Sequence, residues 1–500
     1  MESFTIRSRN GNHYLFCGQQ NTILLSNEII NYLFDELYIH QIRPSKNFLM
    51  KKFSSYNVSE IENAHSRFMY YLKNSFFESL DFDSMFSGKL TKETIFNNIV
   101  QSNQLTFEVT TACNLNCTYC TFGKLYSKSF RNDYKNLTFE IAKSAIDYFF
   151  KIWNSPNNVS YGSIKRISFY GGEPLLNLSL LSKIVNYVNN ECNLLYNKIE
   201  YTMTTNGVLL EKHIDFLVNN NFKLLISLDG NEENNEYRKY KDGKTSYKDI
   251  VGQIERIRKK YPDYFKNCIR FNAVLHNKNN VSDLYNHFMT AYDKIINISE
   301  LSADGLNENY KEEFWKMYNN IYDSLQTAED YSVLKSKFYL DLPDTLSASR
   351  FVDQYKPFKL KNYFSFFEKQ GFGMNYIPTG TCIPFSRKIF ISATGKILPC
   401  ERIDHKFSLG SISKNGVEMD LLKISSLFNL LYEKIKKRCK TCYFSTYCLQ
   451  CIFHIDEFDK LKCNGYANKF DFLQFVENQI NFLEENPLLV SKSQKSIFHE

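Results

Sequence analysis

The segment Leu105-Thr106-Phe107-Glu108-Val109-Thr110-Thr111 alternates apolar and polar side chains, the period of two that turns one face of a strand towards a core. Shortly afterwards the period lengthens. Ile141, Ala145, Phe149 and Trp153 recur every fourth residue with Ala142, Ile146 and Phe150 beside them, which predicts a helix with a wide apolar face behind Thr138 as its N-cap. The same unit repeats downstream. Strands are predicted near 164–170, 199–204, 223–228 and 269–275, with helical stretches around 178–195, 208–219, 245–260 and 281–296. Strands alternating with helices predict a parallel α/β sheet. In barrels of this kind functional groups gather at the C-terminal ends of the strands.

The flanks read differently. Residues 1–95 predict a small α+β unit. In it, Asn12–Phe16 and Thr22–Leu25 form a hairpin, and Ser26 caps a helix carrying Ile29, Ile30, Leu33 and Phe34. The α/β segment occupies 100–305, and 306–375 reads as a helical bridge rich in Phe and Tyr. A cysteine-rich segment covers 376–470, and a helix and tail occupy 471–500. A chain of 500 residues is long enough for several such cores.

Composition narrows the function classes. The net charge of +7 is small for this length, and basic residues alternate with acidic ones, as in Lys311-Glu312-Glu313. No basic stripe marks a nucleic-acid partner. The first residues lack the apolar core of a signal peptide, and no run approaches the ~18 apolar residues of a membrane span. A cytoplasmic protein without a membrane partner is therefore expected. The 13 cysteines are odd in number and mostly bunched, which points to metal binding in a reducing compartment and not to a disulfide framework.

The densest group follows the first α/β strand: Cys113-x3-Cys117-x2-Cys120. Three thiolates with no nearby fourth suit a four-iron cubane with one iron left open. Zinc prefers closed tetrahedra of paired ligands, and no histidine lies near this run. After the second strand comes Tyr170-Gly171-Gly172-Glu173-Pro174, whose glycines permit close backbone approach and whose carboxylate can accept from an ammonium group. Thr204-Thr205-Asn206-Gly207 and Ser227-Leu228-Asp229-Gly230 close the third and fourth strands.

In combination these motifs resemble those of the radical S-adenosylmethionine (SAM) enzymes. The resemblance implies a partial (β/α)6, TIM-like barrel within an α/β fold and a 4Fe-4S cluster on Cys113, Cys117 and Cys120. SAM would be chelated by the open iron and cleaved to a 5'-deoxyadenosyl radical. It also implies a SAM site formed by Gly171, Gly172, Glu173 and Pro174 at the amino group, with Thr205, Asn206, Ser227 and Asp229 facing the ribose and methionine ends. Arg238 would stand near the SAM carboxylate and Tyr119 would border the adenine.

Downstream, Cys382, Cys400, Cys439, Cys442, Cys448, Cys451 and Cys463 resemble the SPASM extension of radical SAM enzymes that modify peptides. Its hairpin would use Ile389–Ile391, a turn at Thr394-Gly395, and Ile397-Leu398. The resemblance implies two auxiliary 4Fe-4S clusters, one on Cys439, Cys442, Cys448 and Cys463, the other on Cys382, Cys400 and Cys451 with a fourth position open. The Cys448-x2-Cys451 spacing departs from the family's Cys-x3-Cys. By spacing alone, Cys439, Cys442, Cys448 and Cys451 would equally make a zinc site. Cys17, Cys192 and Cys268 stand apart and read as small buried apolar residues.

The N-terminal unit resembles the leading segment of maturases that act on ribosomally made precursor peptides, where a hairpin can accept a leader peptide as an added strand. The whole pattern predicts a radical SAM peptide maturase installing a thioether or carbon-carbon cross-link. Its partners would be a precursor peptide and a reducing electron donor such as flavodoxin or ferredoxin. Two alternatives remain: an anaerobic sulfatase-maturing, formylglycine-generating enzyme, and a non-enzymatic, zinc-stabilised peptide-binding protein.

Overall fold

The computed structural model describes residues 2–18, 22–78, 82–126, 134–156, 158, 162–192, 194–195, 198–303, 305–328, 334, 347–348, 383–445, 448, 450–455, 463 and 465–488. Most of the predicted bridge at 306–375 lies outside them, as does Cys382. The chain forms two compact units: one holds residues 1–89 and 429–500, the other 90–339 and 382–428.

The second unit is built on the predicted alternation. Strands β4 (Gln104–Thr110), β5 (Ile164–Gly171), β6 (Lys198–Thr205), β7 (Lys223–Ser227), β8 (Ile269–Leu275) and β9 (Asn297–Glu300) pair in sequence order, all parallel. β9 has no apolar run, and the sequence reading assigned its surroundings to a helix that stops earlier, at Tyr292. The helix Phe139–Trp153 begins behind Thr138, whose side chain accepts from the Ile141 N–H, and its predicted apolar residues Ala142, Ala145, Ile146, Phe149, Phe150 and Trp153 are buried. Phe107, Phe169 and Phe222 carry the core between sheet and helices.

The predicted hairpin forms as β10 (Ile389–Ile391) and β11 (Lys396–Leu398), turning at Gly395 with φ +78°. Its first strand then pairs in parallel with β4, Ile389 opposite Leu105, so the hairpin continues the same sheet. Two short strands, β12 (Gly410–Ser413) and β13 (Gly416–Glu418), complete ten.

In the first unit the predicted hairpin is part of a three-stranded antiparallel sheet of β1 (Phe4–Arg7), β2 (His13–Cys17) and β3 (Thr22–Ser26). The following helix, Glu28–Leu33, is capped by Asn27 and not by Ser26, because Ser26 is still the last residue of β3. Ile29, Ile30, Leu33 and Phe34 are buried as expected. The C-terminal helix Lys469–Glu485 returns to this sheet, where Phe472, Val476 and Ile480 pack on Phe4, Ile6 and Phe16. Among the described residues no helix is long and apolar enough to cross a membrane.

Candidate active site

The cysteine loop leaves β4 and is pinned by backbone hydrogen bonds from Thr111 N to Lys135 O (2.9 Å), Asn116 N to Lys239 O (2.7 Å) and Thr118 N to Tyr237 O (3.0 Å). Cys113, Cys117 and Cys120 are all half-buried. Burial raises the Cys113 thiol and pushes that of Cys117 to about 12, while the Arg238 guanidinium pulls the latter back. The thiols also feel one another's charge: Cys113 and Cys120 each raise Cys117. Yet among the described residues no three metal-ligating side chains converge on a single ion. Three thiols on one loop suit the three cysteine ligands of a four-iron cluster with one iron left open.

The Gly-Gly-Glu-Pro turn does two jobs for that loop. A Cβ on Gly171, whose φ is +134°, would stand 2.3 Å from Thr110 O, and one on Gly172 would stand 2.0 Å from Ala112 O. The close neighbour that demands glycine is thus the cysteine loop's own backbone. Gly172 N donates to Thr110 O and Glu173 N to Ala112 O, both at 2.8 Å. Pro174 opens the short turn Pro174–Asn177.

Glu173 is fully buried, and burial raises its carboxyl above the usual range. Its oxygens accept from Leu175 N (3.1 Å), Thr205 Oγ1 (2.8 Å) and Asn206 N (2.7 Å), tying the end of β5 to the end of β6. Asn206 Nδ2 in turn donates to Asn114 Oδ1 (2.7 Å) and points at Cys113 Sγ (3.6 Å). Ser227 ends β7, half-buried opposite Asn272.

A second buried group sits behind Cys117. Asp229 Oδ1 accepts from Val274 N (3.0 Å) and Oδ2 from the Tyr119 hydroxyl, to which Arg238 Nη1 also donates (3.0 Å). His276, wholly buried just after β8, stacks against the Tyr119 ring at 5.9 Å. Its Nδ1 accepts from Lys278 N (3.2 Å), and its Nε2 lies 3.3 Å from Asn279 Nδ2 and 3.7 Å from Asp229 Oδ2. Arg238 Nε is buried with no hydrogen-bond partner. An orphaned guanidinium N–H beside the thiols fits an anionic ligand group such as a carboxylate. Thus Tyr119, Asp229 and Arg238, expected one by one, form a single network. His276, Asn114 and Asn279 were not anticipated. His276 occupies the position the strand-end rule marks, directly after β8.

The C-terminal cysteines distribute as follows. Cys439 lies in the last turn of the helix Leu421–Lys440, and burial, with the charges of Cys448, Cys442 and Cys463, lifts its thiol to about 12. These four lie in the first unit. Cys400, in the second unit, follows β11 with its thiol 3.5 Å from Glu401 Oε2, a carboxylate that Lys388 grips at 2.8 and 3.0 Å. Cys451 is half-buried. Of the isolated cysteines, Cys17 and Cys268 are buried as expected, but Cys192 is half-buried because it caps the end of the helix Leu178–Glu191.

Residues 107–290 match the model of the radical SAM superfamily. The chain is 29% identical over 216 residues to the radical SAM cyclopropyl synthase TigE of Paramaledivibacter caminithermalis, covering 42% of each chain. It is 25% identical over 341 residues to a cysteine-type anaerobic sulfatase-maturating enzyme of Clostridium perfringens, covering 67% of this chain and 84% of that one. The solved structure described as native anSMEcpe with bound AdoMet aligns with a TM-score of 0.52 at 19% identity over 78% of this chain and 99% of that chain, a likeness of fold. The chain spans about half the length of two of the curated relatives it matches. Residues 107–290 are a radical SAM domain of the kind these enzymes carry.

Proposed function

We propose that this chain is a radical SAM peptide maturase that installs a thioether or carbon-carbon cross-link in a ribosomally made precursor peptide. The observation that carries the reading is the union of Cys113, Cys117 and Cys120 with the Gly-Gly-Glu-Pro turn, two backbone hydrogen bonds locking one to the other at the C-terminal end of a parallel sheet. A SAM-ligated cluster bound there supplies one-electron chemistry that removes a hydrogen atom from an unactivated carbon.

The chain's own residues prepare the place. Glu173 keeps a buried carboxylate for an ammonium group, with its geometry fixed by Thr205 and Asn206. Arg238, held by Tyr119 and Asp229, presents its Nε to a carboxylate. Asn206 steadies the Cys113 side of the loop. Cys439, Cys442, Cys448 and Cys463 hold an auxiliary 4Fe-4S cluster of a SPASM extension. Electrons enter from a flavodoxin- or ferredoxin-type donor.

Peptide recognition is assigned to the first unit. Among the described residues β3 pairs only with β2 and so offers an edge, with Leu25 62% exposed on it. An extended leader would add there as a fourth strand. The Clostridium relative keeps sulfatase maturation in view as the competing activity. Incubation of reduced, reconstituted protein with SAM and precursor peptides encoded beside its gene, followed by mass spectrometry, tests the assignment. A cross-linked product lacking two hydrogens is expected. Conversion of a sulfatase-type peptide to formylglycine, with precursor peptides untouched, would replace the reading.

A further inference from the structure

We propose that Tyr432 and Arg438, both on the helix Leu421–Lys440, act as donors to an iron-sulfur cluster held by Cys439, Cys442, Cys448 and Cys463 and raise its reduction potential. The inference rests on the reading above that these thiols hold such a cluster.

Two orphans carry it. Tyr432 is 3% exposed, and its hydroxyl is buried with no hydrogen-bond partner among the described residues. Arg438 Nε is likewise buried and unpartnered. Leaving two polar groups of one helix unsatisfied is uncommon unless something absent from the protein atoms receives them. Tyr432 precedes Cys439 by seven residues, two turns of helix, which places them on one face. The charge of Cys439 is among those that raise the Tyr432 hydroxyl, after burial. Arg438 immediately precedes Cys439 in the last turn of the helix.

The guanidinium is also fixed in place. Arg438 Cζ stands 3.2 Å over the ring of Tyr466, and Tyr466 N donates to Cys463 O (3.2 Å), so the cation is clamped to the loop that delivers the fourth cysteine. On reduction a thiolate-bound cluster gains one negative charge. A hydroxyl or guanidinium donor to its sulfurs stabilises that charge more in the reduced than in the oxidised state, which raises the potential. Tyr432 and Arg438 are positioning and tuning residues in this scheme. Neither is assigned a contact with substrate.

The test is a redox titration followed by electron paramagnetic resonance on anaerobically reconstituted full-length protein carrying Cys113→Ala/Cys117→Ala/Cys120→Ala. The relevant signal is identified by its loss in a further Cys442→Ala variant. Tyr432→Phe and Arg438→Gln, with iron content and melting temperature as folding controls, are each expected to shift the reduced-to-oxidised ratio about tenfold towards oxidised. That shift lowers the midpoint by about 59 mV for a one-electron couple. Arg438→Lys should recover most of the Arg438→Gln shift. An unchanged midpoint in an iron-loaded variant would overturn that residue's role. Zinc in place of iron at these cysteines, with no such signal, would overturn the proposal and the auxiliary-cluster reading together. Neither result touches the first site, which is read independently as 5'-deoxyadenosine production by the wild type.

Discussion

Gly172 shows how much a single missing carbon can hold. With its virtual Cβ 2.0 Å from Ala112 O and 2.4 Å from the Ala112 carbonyl carbon, Gly172→Ala must displace the cysteine loop. The expected outcome is a loss of iron at Cys113, Cys117 and Cys120, with a stability cost on the order of 1–3 kcal/mol for the overpacking. Iron analysis of the purified variant checks it. The glycine pair was legible in sequence, but its reason was not, since the backbone it accommodates comes from a strand and loop far earlier in the chain. His276 was missed for the same cause: its partners Tyr119 and Asp229 are assembled only by the sheet. Lys165 was also invisible as a buried residue, because a lysine in a strand is ordinarily solvated. Fully enclosed, its ammonium donates to Ser102 O (2.8 Å) and Val100 O (3.3 Å) at the C-terminal end of the helix Lys92–Gln101, which favours a cation. Burial nevertheless pulls it down to about 8. From there to the ordinary lysine value the unfolded chain binds more protons than the folded one, so stability rises with pH across that window and the cost is fully present below it. Relative to Lys165→Met, wild-type stability should gain on the order of 2 kcal/mol between pH 8 and 10. Denaturant unfolding at a series of pH values would refute this if the difference stayed flat.

At the scale of elements, long strand-helix alternation was readable because each segment carried its own period. β4 through β8 fall where the sequence placed them, within a residue or two. Short or polar elements were not: β9 has no apolar run, and β1 is a four-residue strand defined by its pairing with β2. The return of the C-terminal helix to the N-terminal sheet joins segments from opposite ends of the chain, which periodicity does not encode. Phe472, buried at 1% and meeting the rings of Phe4 and Phe16 at 6.1 and 5.5 Å, is the centre of that contact. Phe472→Ala should cost about 3–5 kcal/mol in the unfolding of the first unit. A urea transition followed by tyrosine fluorescence reports it, and a change below 1 kcal/mol would mean the contact is dispensable. The edge strand β3 carries the peptide proposal. Leu25→Asp should weaken precursor binding at least tenfold, read by fluorescence anisotropy of a labelled leader, while leaving deoxyadenosine formation without peptide unchanged. Undiminished binding would move recognition elsewhere.

Over the whole molecule, one unit brings the SAM motifs to a single sheet end and the other joins the small antiparallel sheet to the four-cysteine loop. Of the expected groups, Cys439, Cys442, Cys448 and Cys463 lie in one unit, whereas Cys382 of the other lies outside the described residues. Spacing alone suits either iron or zinc at the C-terminal group, and metal analysis of the purified protein decides between them. The claim on which everything else depends is that Cys113, Cys117 and Cys120 make this chain a radical enzyme. It is tested most directly by the yield of 5'-deoxyadenosine from SAM with anaerobically reconstituted, reduced protein, comparing wild type with Cys113→Ala/Cys117→Ala/Cys120→Ala. Production by the wild type and none by the triple variant is predicted. A well-folded, iron-loaded wild type that formed none, even with candidate peptides present, would contradict the account and leave a metal-stabilised peptide-binding protein in its place.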